Sequence, residues 1–207
     1  MKKNKFLIDL KYCEEKGKYA VEIDGVFSFY ISPETSFKNN LHEYSEIDIE
    51  KLKEIKRSES LKSAKNEALK YLSYKKRTMK EVENKLENLG YTREIIEEAI
   101  LKLQELDYID DMDYSISYIK QSQKLNPVSS ERIKYNLKSK GIPNRIIESA
   151  LSEIDIDEYG DAKKLLSKKY KDIENMKDLK IKRKAIRFLK YRGYSDEIIK
   201  KCTGASF

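Results

Sequence analysis

The sequence predicts a mainly α-helical protein: a tandem array of three three-helix repeats, elongated and curved, behind a small N-terminal three-stranded β meander. Two observations lead to the repeats and one to the meander. Residues 129–151, SSERIKYNLKSKGIPNRIIESAL, read as helix, glycine, helix. The same arrangement recurs as TMKEVENKLENLGYTREIIEEAI at 78–100 and as KRKAIRFLKYRGYSDEIIKKC near the C-terminus. Strand-like patterning is confined to residues 5–31.

The repeats align position by position. Val82, Ile133 and Ala185 correspond, as do Leu86, Leu137 and Leu189. Gly90, Gly141 and Gly193 follow at spacings of 51 and 52 residues. Next come the pairs Ile95-Ile96, Ile146-Ile147 and Ile198-Ile199, then Ala99, Ala150 and Cys202. So many matches at one period indicate internal duplication. Each glycine is expected just past a helix end with positive φ, where a Cβ would be unfavourable. Pro143 is expected to open its helix, with φ already set.

Taken in order, KFLIDLKY, KYAVEI and VFSFYI alternate or run apolar, β-branched and aromatic, as strands do. Asp24-Gly25 is a hairpin signal, because a type I′ turn needs positive φ at both central positions. Pro33 ends the third strand, and 34–47 reads as irregular. Asp48 is an expected N-cap for a helix marked by Ile49, Leu52 and Ile55. Arg57-Ser58-Glu59-Ser60 reads as a break or an exposed helix turn, with helix resuming through Ala64, Ala68, Leu69 and Leu72. Thr78 then caps the next helix. The expected helices are 62–74, 79–89 and 93–106; 111–123, 129–140 and 143–153; and 157–170, 178–192 and 195–202. Asn126-Pro127 breaks the chain inside the middle repeat. The resulting division is 1–47 (β extension), 48–61 (connecting helix), and repeats at 62–109, 110–156 and 157–207.

Composition narrows the function. Charged residues are 38% and hydrophobic ones 39%, which suits small helices that each bury one stripe. No apolar run is long enough to span a bilayer, and the lysine-led N-terminus lacks a signal peptide's apolar run, so a cytoplasmic protein is expected. Cys13 and Cys202 read as two unrelated thiols. The net charge of +7 is uneven: residues 1–57 and 58–156 balance, whereas 157–207 hold 15 basic and 8 acidic side chains. That excess suits a polyanion or an acidic protein surface, and it also suits a solvated helix face.

Catalytic signals are few. His42, the one histidine, has no cysteine or histidine nearby, and no glycine-rich phosphate loop is present. Asp110, Asp111 and Asp113 could suggest a metal-dependent nuclease. They are adjacent at a helix start, however, where carboxylates cap free amides and complement the dipole. Helix-turn-helix readout of DNA meets an obstacle in the acidic starts Thr92-Arg93-Glu94 and Ser195-Asp196-Glu197, which would face phosphates; backbone contact remains open. The 15 tyrosines read first as rim packing, and second as a stacking platform for single-stranded nucleic acid.

Three segments in fixed order are similar to a known family. ALKYLSYKKRTMKEVENKL leads to LGY; LDYIDDMDYSISYIKQSQ leads to IKYNLKSKGI; and FLKYRGYSDEII follows. Across 64–202 the chain resembles the regulatory protein RecX family, which modulates the bacterial recombinase RecA. Tyr191 stands where an arginine often precedes Arg192-Gly193, and Asn126 replaces a glycine before Pro127. The resemblance implies a non-enzymatic monomer, without cofactor or membrane, in homologous recombination, DNA repair and the SOS response. It would bind RecA filaments and inhibit their ATPase, strand exchange and co-protease activities, and some members have affinity for single- or double-stranded DNA.

The surface expected to meet such a partner is basic. Lys134 and Lys138 flank the Ile133–Leu137 face, and Lys140 ends that helix. The last repeat offers Arg183 and Arg187 at what read as the corresponding places, followed by Lys190 and Arg192. The first repeat offers only Lys76 and Arg77 beside Lys75, since its helix carries Glu81, Glu83 and Glu87. Partner binding is therefore expected on the middle and last repeats.

Overall fold

The computed structural model describes residues 5–170 and 179–204. They fall into two compact units, one holding residues up to 75 with 83–108, the other 76–82 with everything from 109.

The first unit opens with an antiparallel sheet in the order β3-β2-β1-β4: β1 Lys5–Cys13, β2 Lys18–Ile23, β3 Val26–Ile31 and β4 Ser45–Asp48. Asp24 and Gly25 both have positive φ, 51° and 77°, as the hairpin signal required. The stretch 34–47 is more ordered than its sequence suggests. It contains helix α1, Pro33–Lys38, capped by Ser32, and ends in the fourth strand. β4 is too short to show a period. It forms because the edge of β1 that faces away from β2 offers free backbone groups to Ser45–Asp48.

Helix α2 runs unbroken from Ile49 to Leu72. Asp48 sits at its cap position but makes no side-chain cap bond. The polar stretch at 57–60 is neither a break nor wholly exposed. Glu59 is buried and accepts hydrogen bonds from Ser32 Oγ, at 2.9 Å, and from Thr35 Oγ1. A buried carboxylate needs such donors, and they come from α1, far away in sequence. Leu52 and Ile55 join Ile8, Leu10, Val21, Ile31 and Ile47 in one core. Farther along, Ala64 and Ala68 are buried and α4 packs on α2.

The helical triplets follow. α3 spans Met79–Asn88 and α4 Arg93–Glu105. In the second unit come α5 Asp111–Leu125, α6 Ser130–Ser139 and α7 Asn144–Ser152. The last three are α8 Glu158–Lys169, α9 Leu179–Tyr191 and α10 Asp196–Thr203. The aligned positions are the buried ones. Val82, Ile133, Ala185, Leu86, Leu137 and Leu189 are all fully buried, and Ile96, Ile147 and Ile199 nearly so. Pro143 occupies the cap position before α7, with ψ of 142°, rather than its first turn.

α3, α6 and α9 end alike. Gly90, Gly141 and Gly193 have φ of 83°, 84° and 85°. Their amides donate to Glu87, Lys138 and Lys190, and the next amides, of Tyr91, Ile142 and Tyr194, donate to Leu86, Leu137 and Leu189. This pair of bonds, 5→2 and 6→1, satisfies carbonyls that the helix end would leave without partners. The residue after each glycine folds back over the buried leucine; Ile142 and Tyr194 belong to the same cores as Leu137 and Leu189.

Candidate partner and nucleic-acid interface

Helix α9, LKIKRKAIRFLKY, contains no acidic residue. Ala185 and Leu189 are buried on its inner side, with Ile186 and Phe188 packed against the same core. Its other sides carry Lys180, Lys182, Arg183, Lys184, Arg187 and Lys190. Where α9 meets the end of α8, a cleft of about 570 Å³ is lined by Lys169, Tyr170, Lys184, Arg187, Phe188 and Tyr191. The ammonium of Lys169 lies 4.0 Å from the Phe188 ring centre, and the Arg192 guanidinium 4.7 Å from it. Beyond the cleft, Arg132 lies 5.9 Å from the Tyr191 ring and 5.4 Å from the Tyr135 ring. Cations and aromatic faces thus alternate along this side of the second unit.

Other cations serve two seams within that unit. At the first, Thr78 Oγ1 donates to the carbonyl of Lys140 at 2.9 Å, and the Met79 amide donates to Asp111 Oδ1 at 2.9 Å. At the second, the Ser129 amide donates to the carbonyl of Arg192 at 3.2 Å, and the Ser130 amide donates to Glu158 Oε1 at 2.7 Å. Each seam joins a helix start to the residue before a turn glycine and to a carboxylate opening the first helix of the next triplet. Thr78 and Glu81 also cap each other, with bonds of 3.2 and 3.1 Å.

The side chains that reinforce the seams differ. Lys140 pairs with Glu81 at 3.0 Å. Burial opposes the charge at Lys140, but its hydrogen bonds to Glu81 and Tyr114 outweigh this and hold its pKa above the ordinary lysine value. Burial would likewise raise the Glu81 carboxyl, whereas the bonds from Lys140 and the Thr78 amide lower it on balance. Arg192 instead forks to the Pro127 carbonyl at 2.8 Å and to Asn126 Oδ1 at 2.7 Å.

The residues expected to meet a partner therefore separate into two groups. Lys140 and Arg192 are half-buried and hold seams. Lys134 bridges Glu148 at 3.1 Å and Glu131 at 3.3 Å, and those two bonds raise its pKa. Lys76 is exposed but binds Asp113 and, at 3.2 Å, Ser117 Oγ; Arg77 is half-buried. Lys190 pairs with Asp196 at 3.1 Å. Lys138, Arg183 and Arg187 are exposed and make no ion pair among the described residues. The correspondence expected for the two arginines also changes. With Gly141 set on Gly193, Lys138 matches Lys190 and Lys140 matches Arg192, whereas Arg183 and Arg187 match Glu131 and Tyr135.

The family models for the first and third three-helix domains of RecX match residues 64–103 and 156–203. A regulatory protein RecX from Clostridium beijerinckii is 36% identical over 179 residues, 85% of this chain and 83% of that one. One from Clostridium tetani is 35% identical over 188 residues, covering 89% and 86%.

The chain belongs to the regulatory protein RecX family. The crystal structure of RecX from Lactobacillus salivarius superposes with a TM-score of 0.61 at 32% identity, over 70% of this chain and 95% of that one. A second RecX crystal structure, at 24% identity, shares the fold with a TM-score of 0.69 over 97% of this chain and all of that one.

In this RecX-family chain the acidic cluster has structural partners. Asp110 caps α5 by accepting from the amides of Met112 and Asp113, Asp111 holds a seam, and Asp113 binds Lys76. Among the described residues no group of three or more His, Cys, Asp or Glu could hold a metal, and no helix is long and apolar enough to cross a membrane. His42 is exposed in a turn with Ser45. Sequence reasoning missed Lys169, Tyr170, Phe188 and Tyr191 as neighbours. The spacing of Phe188 and Tyr191 placed them on one side of α9, but nothing in the sequence signalled the approach of α8.

Proposed function

We propose that this chain binds RecA recombinase filaments on DNA and inhibits their ATPase, strand exchange and co-protease activities, acting as a cytoplasmic monomer without catalytic chemistry of its own. Its membership of a family of regulators supports the reading. The observation that carries it is the set of exposed cations, Lys138, Arg183 and Arg187, that no carboxylate among the described residues neutralises. Charges left without internal partners are available to an acidic surface or a polyphosphate. Successive helical triplets offer several such contacts at once, so contacts that are weak singly add through effective concentration.

The test is RecA ATP hydrolysis on single-stranded DNA with and without this protein. Hydrolysis should fall at saturating protein, and unchanged hydrolysis would overturn the reading. Changing Lys138, Arg183 and Arg187 together to glutamate should relieve the inhibition, while the same change at Arg93, Lys102 and Lys120 should leave it in place. A second reading, binding to the DNA backbone with no recombinase partner, is favoured by the same cations. It predicts affinity for DNA alone that falls steeply with salt, in proportion to the phosphates neutralised.

A further inference from the structure

We propose that the free edge of strand β3 takes up an extended acidic segment of a partner protein as an added strand of the N-terminal sheet, with Lys16 and Lys56 meeting its carboxylates on the two faces. Every residue involved lies in the first unit, and the test contains no recombinase, so this site stands or falls separately from the regulatory reading above.

Strand β3 pairs with β2 alone, and its backbone makes no other hydrogen bond among the described residues. Pairing on one side uses only part of a strand's amides and carbonyls, so the rest point out from the sheet edge. Such edges are ordinarily guarded by shortness or by charge. The opposite edge has both guards: β4 is four residues long, and its Glu46 is held to Lys5 at 3.0 Å. β3 is six residues long, VFSFYI, with neither a charge nor a proline.

A bulge aims its rings. Val21 pairs with Phe29 and Glu22 with Phe27, so Ser28 is an extra residue. The extra residue offsets the alternation and sets both Phe27 and Tyr30 on the face away from the core, with ring centres 4.8 Å apart. Phe29 packs on the core side. Each face then carries a cation. The Lys16 ammonium lies 3.9 Å from the Tyr30 ring centre, and the Lys56 ammonium 5.6 Å from the Phe29 ring centre. Neither lysine makes an ion pair among the described residues. Successive side chains of an added strand point to opposite faces, so two neighbouring acidic residues reach both lysines while their backbone pairs with β3. A second copy of this chain fits worse, because it would bring its own Lys16 and Lys56 to the same edge. A helical partner would leave the backbone groups of β3 unanswered.

The experiment is fluorescence anisotropy of the full chain against a labelled, end-capped peptide, Thr-Val-Thr-Glu-Glu-Thr-Val-Thr. One control peptide has lysines in place of the glutamates, and another is N-methylated at its central amides. The acidic peptide should bind about tenfold tighter than either, since the first control lacks the charge and the second the backbone donors. Lys16→Glu with Lys56→Glu should weaken it by about tenfold, whereas Lys53→Glu, elsewhere on α2, should leave it unchanged. Lys16 and Lys56 are both exposed, so the circular dichroism of the double variant should match the parent's. Amide hydrogen exchange should slow at 26–31 when the peptide is added and stay the same at 45–48, the other edge. The proposal is overturned if the acidic peptide fails to bind, if its N-methylated form binds equally well, or if the double variant binds it undiminished. Protection at 45–48 in place of 26–31 would overturn it too. So would a chain that dimerises by itself with 26–31 protected, as the mark of a second copy at this edge.

Discussion

Gly90 and Gly193 end α3 and α9 with the same backbone, φ 83° and 85°, yet their surroundings differ. Nothing described lies within 4 Å of where a Cβ on Gly90 would stand. At Gly193 the same atom would be 2.6 Å from Ser129 Oγ and 3.0 Å from Arg132 Cβ, and at Gly141 it would overlap Lys80 Cβ. Gly90 is a helix stop only, whereas Gly141 and Gly193 are also points of close approach in the two seams. One sequence signal thus performs one task at the first turn and two at the others.

Alanine at the three positions should break this comparison most visibly. Gly90→Ala should cost about 1 kcal/mol, the strain of a Cβ in the left-handed region. Gly141→Ala and Gly193→Ala should cost about 2–4 kcal/mol, because overpacking is added to that strain. Urea denaturation of the full chain measures the order, and equal losses at all three would remove the seam role.

The seams themselves differ in chemistry, which gives two smaller effects. Arg192→Lys should lose about 1–2 kcal/mol in the same denaturation experiment, because a lysine cannot fork to the Pro127 carbonyl and Asn126 together. Conservation of charge alone should not rescue it. At the other seam Glu81→Gln should cost about 1 kcal/mol at neutral pH. The Glu81 carboxyl titrates below the ordinary glutamate value of 4.5 in the folded chain. Its contribution is therefore complete above pH 4.5 and lost as the pH falls through the lowered folded value. Lys140, raised above 10.5, contributes fully below that pH and loses its share as the pH rises through its folded value. Thermal melts from neutral to acid pH should show this component in the parent and not in Glu81→Gln. The carbonyl oxygens that hold Arg192 do not titrate.

The smallest effect is expected at the unneutralised cations. Arg183→Glu should shift stability by no more than about 0.5 kcal/mol, as exposed substitutions usually do. A larger loss on denaturation would show that Arg183 supports the fold rather than facing a partner.

The sequence by itself determined the helical triplets, their register and the three turn glycines. Those features rest on local physics: a stripe of apolar residues at helical spacing, and a φ that only glycine adopts freely. It also determined the DG hairpin and the capping roles of Thr78 and Asp110, where donor and acceptor are a few residues apart. What joins distant residues was decided only in the tertiary structure. Helix α2 stays continuous through Arg57–Ser60 because donors at the start of α1 satisfy Glu59, and β4 exists because β1 has a second edge that faces away from β2. The basic row divides for the same reason. Lys140 and Arg192 look like any other cation near a helix end, and only folding brings Glu81, Asn126 and the Pro127 carbonyl to them. Lys138, Arg183 and Arg187 meet no such partner among the described residues, and the aromatic floor beside Arg187 appears only when α8 lies against α9. Periodicity reports which face of a helix is apolar, but which distant group that face or its charges will meet depends on long-range packing.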